Sequence, residues 1–380
     1  MTSKPRPVPP PSLPEPETVG FLRESLLAHY DAHGRSLPWR GETDPYRIWV
    51  SEVMLQQTRV ETVIPFYKRW LERFPDVTAL AQADLDDVLL AWQGLGYYRR
   101  ARALHGAAAV VREAHGGEMP QTVEGLRSLP GVGEYTAGAV ASIAYDAPVA
   151  AVDGNVKRVF ARLFDVAHPR AGWLRDMAAT LVDPARPGDW NQALMDLGAT
   201  VCTPRAPACA ECPLRTVCRA RGAGTQEERP APPRRKAVPR RTFVAAVAVN
   251  ERGEGLVVRR GDQGLLAGLW AFPDREAPLD DVDGEDGGGV VEDGEGLLRL
   301  ARRAAADAGA TLRSGDGAAL EAIRHRFTHI DATYVPVVLA GGAPEDENRR
   351  WVPLDGPWPV ALPVAQQKIS RAVAAALRRQ

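Results

Sequence analysis

The chain has 380 residues, with 47 lysines and arginines against 48 aspartates and glutamates, and a formal net charge of −1. This length suffices for two domains with separate cores, and the balance of charge means that any surface for nucleic acid must be local. No apolar run reaches the length of a membrane span, and the Pro-rich stretch 1–17 lacks the pattern of a signal peptide. We expect a disordered tail over residues 1–17 and a cytoplasmic protein that does not contact a membrane.

From residue 18 to about 220 the hydrophobic pattern is helical. Apolar residues recur at spacings of three and four, and prolines or glycines mark the gaps between these repeats. Strand-like alternation is absent from this part of the sequence. The pattern predicts an all-α domain over residues 18–220 with roughly ten helices. Its clearest apolar repeats lie at Val19–Tyr30, Trp49–Phe74, Leu85–Leu90, Ala101–Ala114 and Val123–Leu129.

The stretch Leu129–Val140 predicts a hairpin of two helices, because a Pro-Gly-Val-Gly turn separates two helical patterns. Gly131 and Gly133 permit positive φ angles and a close approach of the backbone to a neighbouring molecule. The N–H groups at the start of the second helix would point outward, which suits an anion such as a nucleic-acid phosphate. An ordinary helix–helix turn has the same pattern, so the turn alone leaves both interpretations open.

Two polar residues, Asp153 and Asn155, interrupt an apolar stretch just before a basic helical segment. A carboxylate in such a position either caps the start of a helix or serves as a partly desolvated catalytic group. The residues by themselves leave both interpretations open.

All four cysteines of the chain lie in one short segment with the spacing Cys-x6-Cys-x2-Cys-x5-Cys. Four thiolates this close can surround one metal centre. Two disulfides are disfavoured in a reducing compartment, and a zinc site usually has two Cys-x2-Cys pairs where this segment has one. The common ferredoxin patterns do not match either. The spacing favours an iron–sulfur cluster over zinc, and the candidate ligands are Cys202, Cys209, Cys212 and Cys218.

After the cysteines the composition changes. The segment 221–241 is rich in Gly, Pro, Glu, Arg and Lys and predicts a linker between domains. From residue 242 the hydrophobic period becomes two, which predicts strands. An acidic, Gly-rich loop at 280–296 precedes a helix at about 296–308, and a last helix spans Val364–Leu377. The result is a small α+β domain over residues 242–380, with strands at Phe243–Val249, Gly255–Arg259, Ile323–Phe327 and Thr333–Leu339.

Taken together, these features resemble the helix-hairpin-helix DNA glycosylases. The hairpin sequence Leu-Pro-Gly-Val-Gly at 129–133, the downstream Asp153 and the four-cysteine loop support the resemblance. Within that group the chain is most similar to the MutY-type adenine DNA glycosylases, and the similarity covers nearly all of it. The supporting segments are Trp49-Val-Ser-Glu-Val-Met-Leu-Gln-Gln-Thr58, Gly94-Leu-Gly-Tyr-Tyr98 and Val152-Asp-Gly-Asn-Val-Lys-Arg158.

The resemblance implies a base-excision-repair enzyme that removes adenine mispaired with 8-oxoguanine or guanine in double-stranded DNA, acting as a monomer. It assigns Glu52, which lies in an apolar segment that would raise its pKa, as the acid that protonates N7 of adenine. It assigns Asp153, helped by Asn155, as the carboxylate that stabilises the sugar cation. It also implies that the four cysteines hold a [4Fe–4S] cluster. Without the resemblance, an exposed helical glutamate is the simpler interpretation of Glu52.

One hairpin position is informative because it lacks a lysine. Related bifunctional enzymes of the endonuclease III type have a lysine there that attacks the sugar, whereas this chain has Tyr135. The resemblance therefore implies base removal without efficient cleavage of the strand.

Other residues resemble those with which the family recognises the base pair. Gln57 and Tyr97 match residues that act at the opposite base. The backbone at Gly131 and Gly133, with Lys157 and Arg158 as helpers, would hold phosphate. Residues near the base pocket are matched by Trp39, Arg40, Thr58 and Gln192. A role on a helix face or in the core would explain most of these residues without the resemblance.

The second domain resembles a Nudix fold, on the segment Gly264–Pro273 and on the helix before Gly309. A working Nudix pyrophosphohydrolase holds divalent metal with a glutamate-rich helix, but here the sequence is Arg-Arg-Ala-Ala-Ala-Asp at 302–307, which has one acid. The resemblance therefore implies recognition of 8-oxoguanine rather than hydrolysis. The residues for recognition would be Phe327, Thr328 and His329, where the family usually has Phe-Ser-His; a strand-end histidine bonded to backbone is the alternative.

Three other functions remain open from sequence. The first is an endonuclease III-like pyrimidine glycosylase and lyase, which Tyr135 and the second domain oppose. The second is a nucleotide pyrophosphohydrolase fused to an iron–sulfur DNA-binding module, which the acid-poor helix opposes. The third is a non-catalytic iron–sulfur DNA-binding protein, which requires that Glu52 and Asp153 be dispensable.

Overall fold

The computed structural model describes residues 12–232, 237–261, 263–277, 294–313, 315 and 317–379. The first eleven residues of the predicted tail, residues 233–236 of the predicted linker and residues 280–293 of the predicted acidic loop lie outside these ranges. The chain forms two compact units, residues 1–83 with 97–234 and residues 84–96 with 235–380. Within the described ranges, no helix is both long enough and apolar enough to cross a membrane.

Residues 12–232 fold into helices, as the spacing of apolar residues predicts, and this described part contains no strand. The helices are α1 (Pro16–His33), α2 (Pro45–Leu55), α3 (Val60–Arg73), α4 (Val77–Gln82), α5 (Leu85–Ala91), α6 (Arg99–Ala114), α7 (Val123–Arg127), α8 (Glu134–Tyr145), α9 (Gly154–Leu163), α10 (Ala171–Leu181), α11 (Pro187–Thr200) and α12 (Arg219–Ala223), followed by a 3₁₀ turn at Gln226–Glu228.

Side-chain caps fix several helix starts. The Asp44 carboxylate accepts a hydrogen bond from the Tyr46 amide at 2.8 Å, and Pro45 stands at the first helical position of α2. The single apolar repeat at Trp49–Phe74 is two helices, because the chain turns between α2 and α3, where Gln57 has a φ of 58°. Periodicity does not reveal such a break, since the apolar spacing continues across it.

The core around α1, α9, α10 and α11 positions the helices that matter below. Phe160 of α9, Met177 of α10 and Trp190 of α11 are fully buried in it, and Cys202, Cys212 and Cys218 are partly buried against it. Because burial of a large apolar side chain contributes roughly 1.5–3 kcal/mol, this cluster fixes the start of α9 relative to α11.

The second unit is a mixed sheet with one helix on each face. β1 and β8 pair in parallel from Arg240 with Asp331 to Val249 with Ala340, whereas β2 pairs antiparallel with both β1 and β9. The elements are β1 (Arg240–Val249), β2 (Glu254–Arg259), β3 (Trp270–Ala271), β4 (Asp274–Glu276), α13 (Gly294–Asp307), β5 (Thr311–Leu312), β6 (Ala318–Ala319), β7 (Ile323–Arg326), β8 (Asp331–Gly342), β9 (Arg349–Pro353) and α14 (Val364–Leu377).

Alternation along β1 explains the two layers. Phe243, Ala245 and Val247 face the core that contains Ile369 and Val373 of α14. The residues between them, Val244 and Ala246, face Ala301 and Ala305 of α13. The predicted α+β fold is therefore confirmed. The shortest strands escaped prediction because two or three residues cannot display a period of two.

The segment 84–96, which includes α5, belongs to the second unit. The Arg259 guanidinium donates to Asp86 at 2.5 Å, and the Leu362 amide donates to the side-chain oxygen of Gln93 at 3.1 Å. The sequence pattern of α5 is that of the helices around it, and its partners lie far along the chain.

Candidate active site

A cavity of about 590 Å³ in the first unit brings most of the predicted site residues together. Its wall is built from α2, the first turn of α8, the start of α9 and one face of α11. The predicted residues that line it are Trp39, Arg40, Glu52, Gln57, Thr58, Gly131, Gly133, Tyr135, Asp153 and Asn155.

Glu52 is the most deeply buried acid of this cavity. It lies on α2 among buried apolar residues, and 4% of its surface is exposed. The Tyr135 hydroxyl donates a hydrogen bond to its Oε2 at 2.5 Å. Burial raises the pKa of Glu52, whereas the Tyr135 hydrogen bond and the positive charge of Arg40 oppose that rise. The net effect favours a carboxyl that keeps its proton at higher pH than an exposed glutamate does.

Asp153 is both a helix cap and a cavity residue. Its Oδ1 accepts from the Val156 amide at 2.7 Å, and its Oδ2 accepts from the Asn155 side chain at 2.9 Å. Burial raises the pKa of Asp153, and these hydrogen bonds and the charge of Arg158 oppose the rise. Hydrogen bonds from N–H groups favour the charged form of Asp153, although burial raises its pKa as it raises that of Glu52.

Arg158 is half-buried and bonded within the chain. Its guanidinium donates to the carbonyls of Cys202 at 2.8 Å and Gly198 at 2.6 Å, and to the Asn155 side-chain oxygen at 2.9 Å. The prediction that Arg158 helps to hold phosphate is not tested by these contacts and stays a prediction. In this structure Arg158 joins Asn155 to the start of the cysteine loop, whereas the neighbouring Lys157 is exposed.

The backbone that leads to Asp153 is held from α11. Asn191, which is fully buried, accepts from the Ala151 amide at 3.0 Å and donates to the Ser142 hydroxyl at 2.8 Å and the Val149 carbonyl at 2.9 Å. On the other side, a Cβ at Gly138 would lie 2.6 Å from the Ala150 carbonyl oxygen. The segment 149–151 therefore fits closely between α8 and α11.

A charged network lies at the other end of the cavity. Arg35 and Arg40 both bind the Asp196 carboxylate, at 2.6 Å in each ion pair, and Arg40 also donates to Gln192. Burial would raise the pKa of Asp196, but the Arg40 charge and the Arg35 hydrogen bonds bring it below its ordinary value. Gln192 itself is not part of the cavity lining and reaches the site through Arg40.

The two hairpin glycines differ. Gly131 has a φ of 75°, and a Cβ there would overlap the Cβ of Ala103, so this position requires glycine. Gly133 has a φ of −88° and precedes α8, so the expected positive φ is found at the first glycine alone. No side chain in the described residues caps α8, and Gly133, Tyr135 and Thr136 at its start line the cavity.

Gln57 and Tyr97, the residues predicted to act at the opposite base, have different settings. Gln57 lines the cavity, whereas Tyr97 lies outside its lining and is 45% exposed. Both have positive φ, 58° for Gln57 and 49° for Tyr97. Such angles are uncommon for residues other than glycine.

The four cysteines surround one small cavity of about 30 Å³, and none forms a disulfide. Burial raises the pKa of Cys212 to about 11 and raises that of Cys218. Arg162 donates to the Cys202 sulfur at 3.4 Å and to the carbonyls of Thr203 at 2.6 Å and Pro204 at 3.0 Å. In the described ranges, no group of three or more His, Cys, Asp or Glu side chains is arranged to hold a metal ion. The four thiols that line this cavity are nevertheless the type of donor that holds iron–sulfur clusters.

In the second unit, the predicted recognition residues lie in the turn between β7 and β8. The Phe327 amide donates to the Ile330 carbonyl at 2.8 Å, and the Phe327 ring packs on the core and edge-on against His325. Thr328 and His329 are exposed at the tip of this turn. An exposed pair on a turn with a fixed base suits contact with a ligand.

The second unit also has a cavity of about 760 Å³, beside the end of α13. Its three acids are each paired with an arginine: Asp274 with Arg260 at 2.7 Å, Asp307 with Arg275, and Asp346 with Arg349. Carboxylates held in this way are not available as a ligand set for a divalent metal, in agreement with the acid-poor sequence of the helix.

Comparison with known proteins identifies the family. Residues 50–178 match the HhH-GPD superfamily of base excision DNA repair proteins, and residues 244–372 match the NUDIX domain. The human protein named adenine DNA glycosylase is 38% identical over 417 residues, which cover 93% of this chain and 74% of the human one. The chain belongs to the adenine DNA glycosylase family.

The chain spans about 60% of the length of the rat and mouse adenine DNA glycosylases that it matches. The rat adenine DNA glycosylase is 43% identical over 311 residues, covering 67% of this chain and 60% of its own length. Among solved structures, a thermostable thymine-DNA glycosylase aligns with a TM-score of 0.52 and 28% identity, over 55% of this chain and 98% of that one. The predicted fold, an all-α helix-hairpin-helix domain followed by a Nudix-like domain, is confirmed.

The sequence analysis missed several residues of the site. For Asp196 a signal exists, because it follows the predicted Gln192 by one helical turn. Arg35, Asn191 and Arg162 have no such signal, because their partners are far away in the sequence.

Proposed function

We propose that the chain is a base-excision-repair enzyme that hydrolyses the N-glycosidic bond of adenine mispaired with 8-oxoguanine or guanine in double-stranded DNA. The observation that carries this proposal is that one cavity presents two carboxyls in different environments, Glu52 and Asp153. Two carboxyls with different hydrogen-bond donors can serve as the acid and the ion that glycoside hydrolysis needs. Membership of the adenine DNA glycosylase family supports the choice of base.

The reaction begins with the target nucleotide outside the base stack. A base inside a duplex cannot reach a buried acid, so it must rotate into the cavity, whose volume of about 590 Å³ is in the range of small-ligand sites. Amides at the start of α8 and the close backbone approach at Gly131 would hold the phosphates nearby.

Glu52 then transfers its proton to N7 of adenine. The bond between C1′ and N9 breaks, and its electron pair stays with the base, which leaves a cationic sugar. The Asp153 carboxylate stabilises that cation, and its two donors keep it in place and ionised. Water adds to C1′, and its released proton restores the acid at Glu52.

Tyr135 is the reason to expect no strand cleavage after base removal. Burial raises the pKa of its phenol well above the usual value, so the hydroxyl stays protonated and donates to Glu52. A neutral phenol in this position is no amine nucleophile and forms no imine with the sugar. We therefore propose base removal without an efficient lyase step. Cleavage of an abasic strand without heat or alkali, at a rate comparable to base release, would contradict this.

The four cysteines would hold a [4Fe–4S] cluster, and the protein would act as a monomer without contact to a membrane. The cluster would supply a rigid centre for the basic loop. What the chain itself contributes is the shell around it: Arg162 fixes the backbone at 202–204, and Arg158 connects that backbone to Asn155. In the second unit, Phe327, Thr328 and His329 would recognise 8-oxoguanine opposite the adenine.

Two substitutions test the roles of the carboxyls in the full chain. Glu52→Gln removes the transferable proton and Asp153→Asn removes the charge, with little change in volume. Each should lower single-turnover release of adenine by at least about 100-fold and leave duplex binding in place. Glu72→Gln, an exposed position on α3, is the matched control and should keep the full rate. A Glu52→Gln variant with near-normal release would contradict the assignment.

A further inference from the structure

Arg100, which the function above leaves without a role, lies where two turns meet. One turn is 56–59, after α2, and the other contains Tyr97, just before α6. Each turn contains a residue with positive φ, Gln57 in the first and Tyr97 in the second. A backbone in this region persists in a residue other than glycine when surrounding contacts hold it.

The guanidinium of Arg100 supplies those contacts for the first turn. Its Nη1 donates to the carbonyls of Val53 at 2.9 Å, Met54 at 2.8 Å and Gln56 at 2.5 Å, and its Nη2 donates to the Thr58 hydroxyl at 3.0 Å. Its Cζ also lies 5.5 Å from the centre of the Tyr97 ring. One side chain therefore touches both turns.

The position suits a permanent positive charge. The last carbonyls of a helix have no partner within it and carry the negative end of its dipole, which a cation stabilises. Burial lowers the pKa of Arg100 to about 10, which still leaves it charged at neutral pH. Lysine would supply the charge but not the planar fork that spans three carbonyls and a hydroxyl.

The contacts of Arg100 act on the rim of the cavity, which is formed by residues 56–58, and not on Glu52. Gln56, Gln57 and Thr58, whose geometry Arg100 fixes, all line the cavity. Glu52, one turn earlier on α2, is held independently by the Tyr135 hydroxyl. Loss of Arg100 therefore loosens the rim and spares the acid.

We infer that Arg100 is a positioning residue that holds the rim, Gln57 and Thr58 together with Tyr97, in the shape needed to take a paired adenine out of the duplex. This inference rests on the proposed function. It predicts that the effect of losing Arg100 on adenine release depends on whether the adenine is paired. An adenine that has no base opposite it does not need a rigid rim to reach Glu52, whereas a paired adenine does.

The test measures single-turnover adenine release by the full chain from two duplexes. In one, the adenine is opposite 8-oxoguanine; in the other, it is opposite a stable abasic-site analogue. Arg100→Met should slow release from the paired duplex by about 100-fold, the loss typical of a displaced positioning group, and from the unpaired duplex by less than about fivefold. Arg112→Met, on the same helix and paired with Glu113 at the surface, should leave both rates unchanged.

If thermal unfolding shows that Arg100→Met does not fold, Arg100→Lys is the second variant for the same test. It keeps the charge and loses the fork, so it should also slow the paired duplex more than the unpaired one. An equal loss on both duplexes, or no loss on either, would overturn the inference for both variants. Failure of the unsubstituted chain to release adenine from either duplex would instead overturn the proposed function.

Discussion

Asn191 offers a prediction whose size follows from the structure. Replacing it by alanine removes three hydrogen bonds, to the Ala151 amide, the Ser142 hydroxyl and the Val149 carbonyl. Each contributes about 1 kcal/mol net, and the Ala151 amide, left buried without an acceptor, adds a penalty of roughly 1–3 kcal/mol. The free energy of unfolding should therefore fall by about 4–6 kcal/mol, a large part of the typical total of about 5–15 kcal/mol.

Urea unfolding of the full chain, followed by the circular dichroism of its helices, measures this loss. Thr180→Val is the matched control, because the similar bond that Thr180 donates to the Asp176 carbonyl at 2.8 Å is exposed to solvent. It should change the stability by less than about 0.5 kcal/mol. Asn191→Asp keeps the acceptor for the Ala151 amide but loses both donors, so it should not restore stability. An Asn191→Ala variant within about 1 kcal/mol of the parent chain would refute the reasoning.

Three further predictions follow from the contacts of the site. Glu52→Gln should stabilise the fold near pH 8 and not near pH 4 in urea unfolding. Burial raises the pKa of Glu52 in the folded chain. The contribution of the protonated Glu52 to the stability of the parent chain is therefore complete below the unfolded pKa of about 4.3 and is lost as pH rises through the folded pKa. Tyr135→Phe removes a bond that lowers the pKa of Glu52, so the alkaline limb of the pH–rate profile for adenine release should move to higher pH; a move to lower pH would contradict this. Arg162→Met removes the donors to Thr203 and Pro204 and should lower the iron bound per chain, which elemental analysis measures; full iron content would contradict the proposed role.

Sequence patterns predicted the parts of the fold that depend on near neighbours. The last helix has the predicted bounds Val364–Leu377, because its apolar repeat is long and a proline precedes it. Glu52 is an exception: without the resemblance an exposed helical glutamate was the simpler interpretation, but the structure buries its side chain. The break at Gln57 could not be predicted, because it depends on Arg100, which supplies the missing partners from another helix.

The contacts of the site residues could not be predicted for the same reason. Arg158 was expected to help hold phosphate because it lies on a basic helix, and the sequence did not indicate its partners Gly198 and Cys202, which are distant along the chain. A charge pattern predicts that a side chain is basic and not which carbonyl it contacts. The resemblance to a known family indicated the roles of Glu52 and Asp153, and the structure shows that Tyr135 and Asn155 hold their side chains.

The most direct test of the central claim is base release from a panel of duplexes by the full chain with its cofactor. The duplexes carry adenine opposite 8-oxoguanine, guanine and thymine, and thymine glycol opposite adenine, and each is treated with alkali after incubation. We predict alkali-dependent strand breaks at adenine opposite 8-oxoguanine and guanine alone, all of them lost in Glu52→Gln. Equal cleavage at thymine glycol, or breaks that the Glu52→Gln variant still produces, would contradict it.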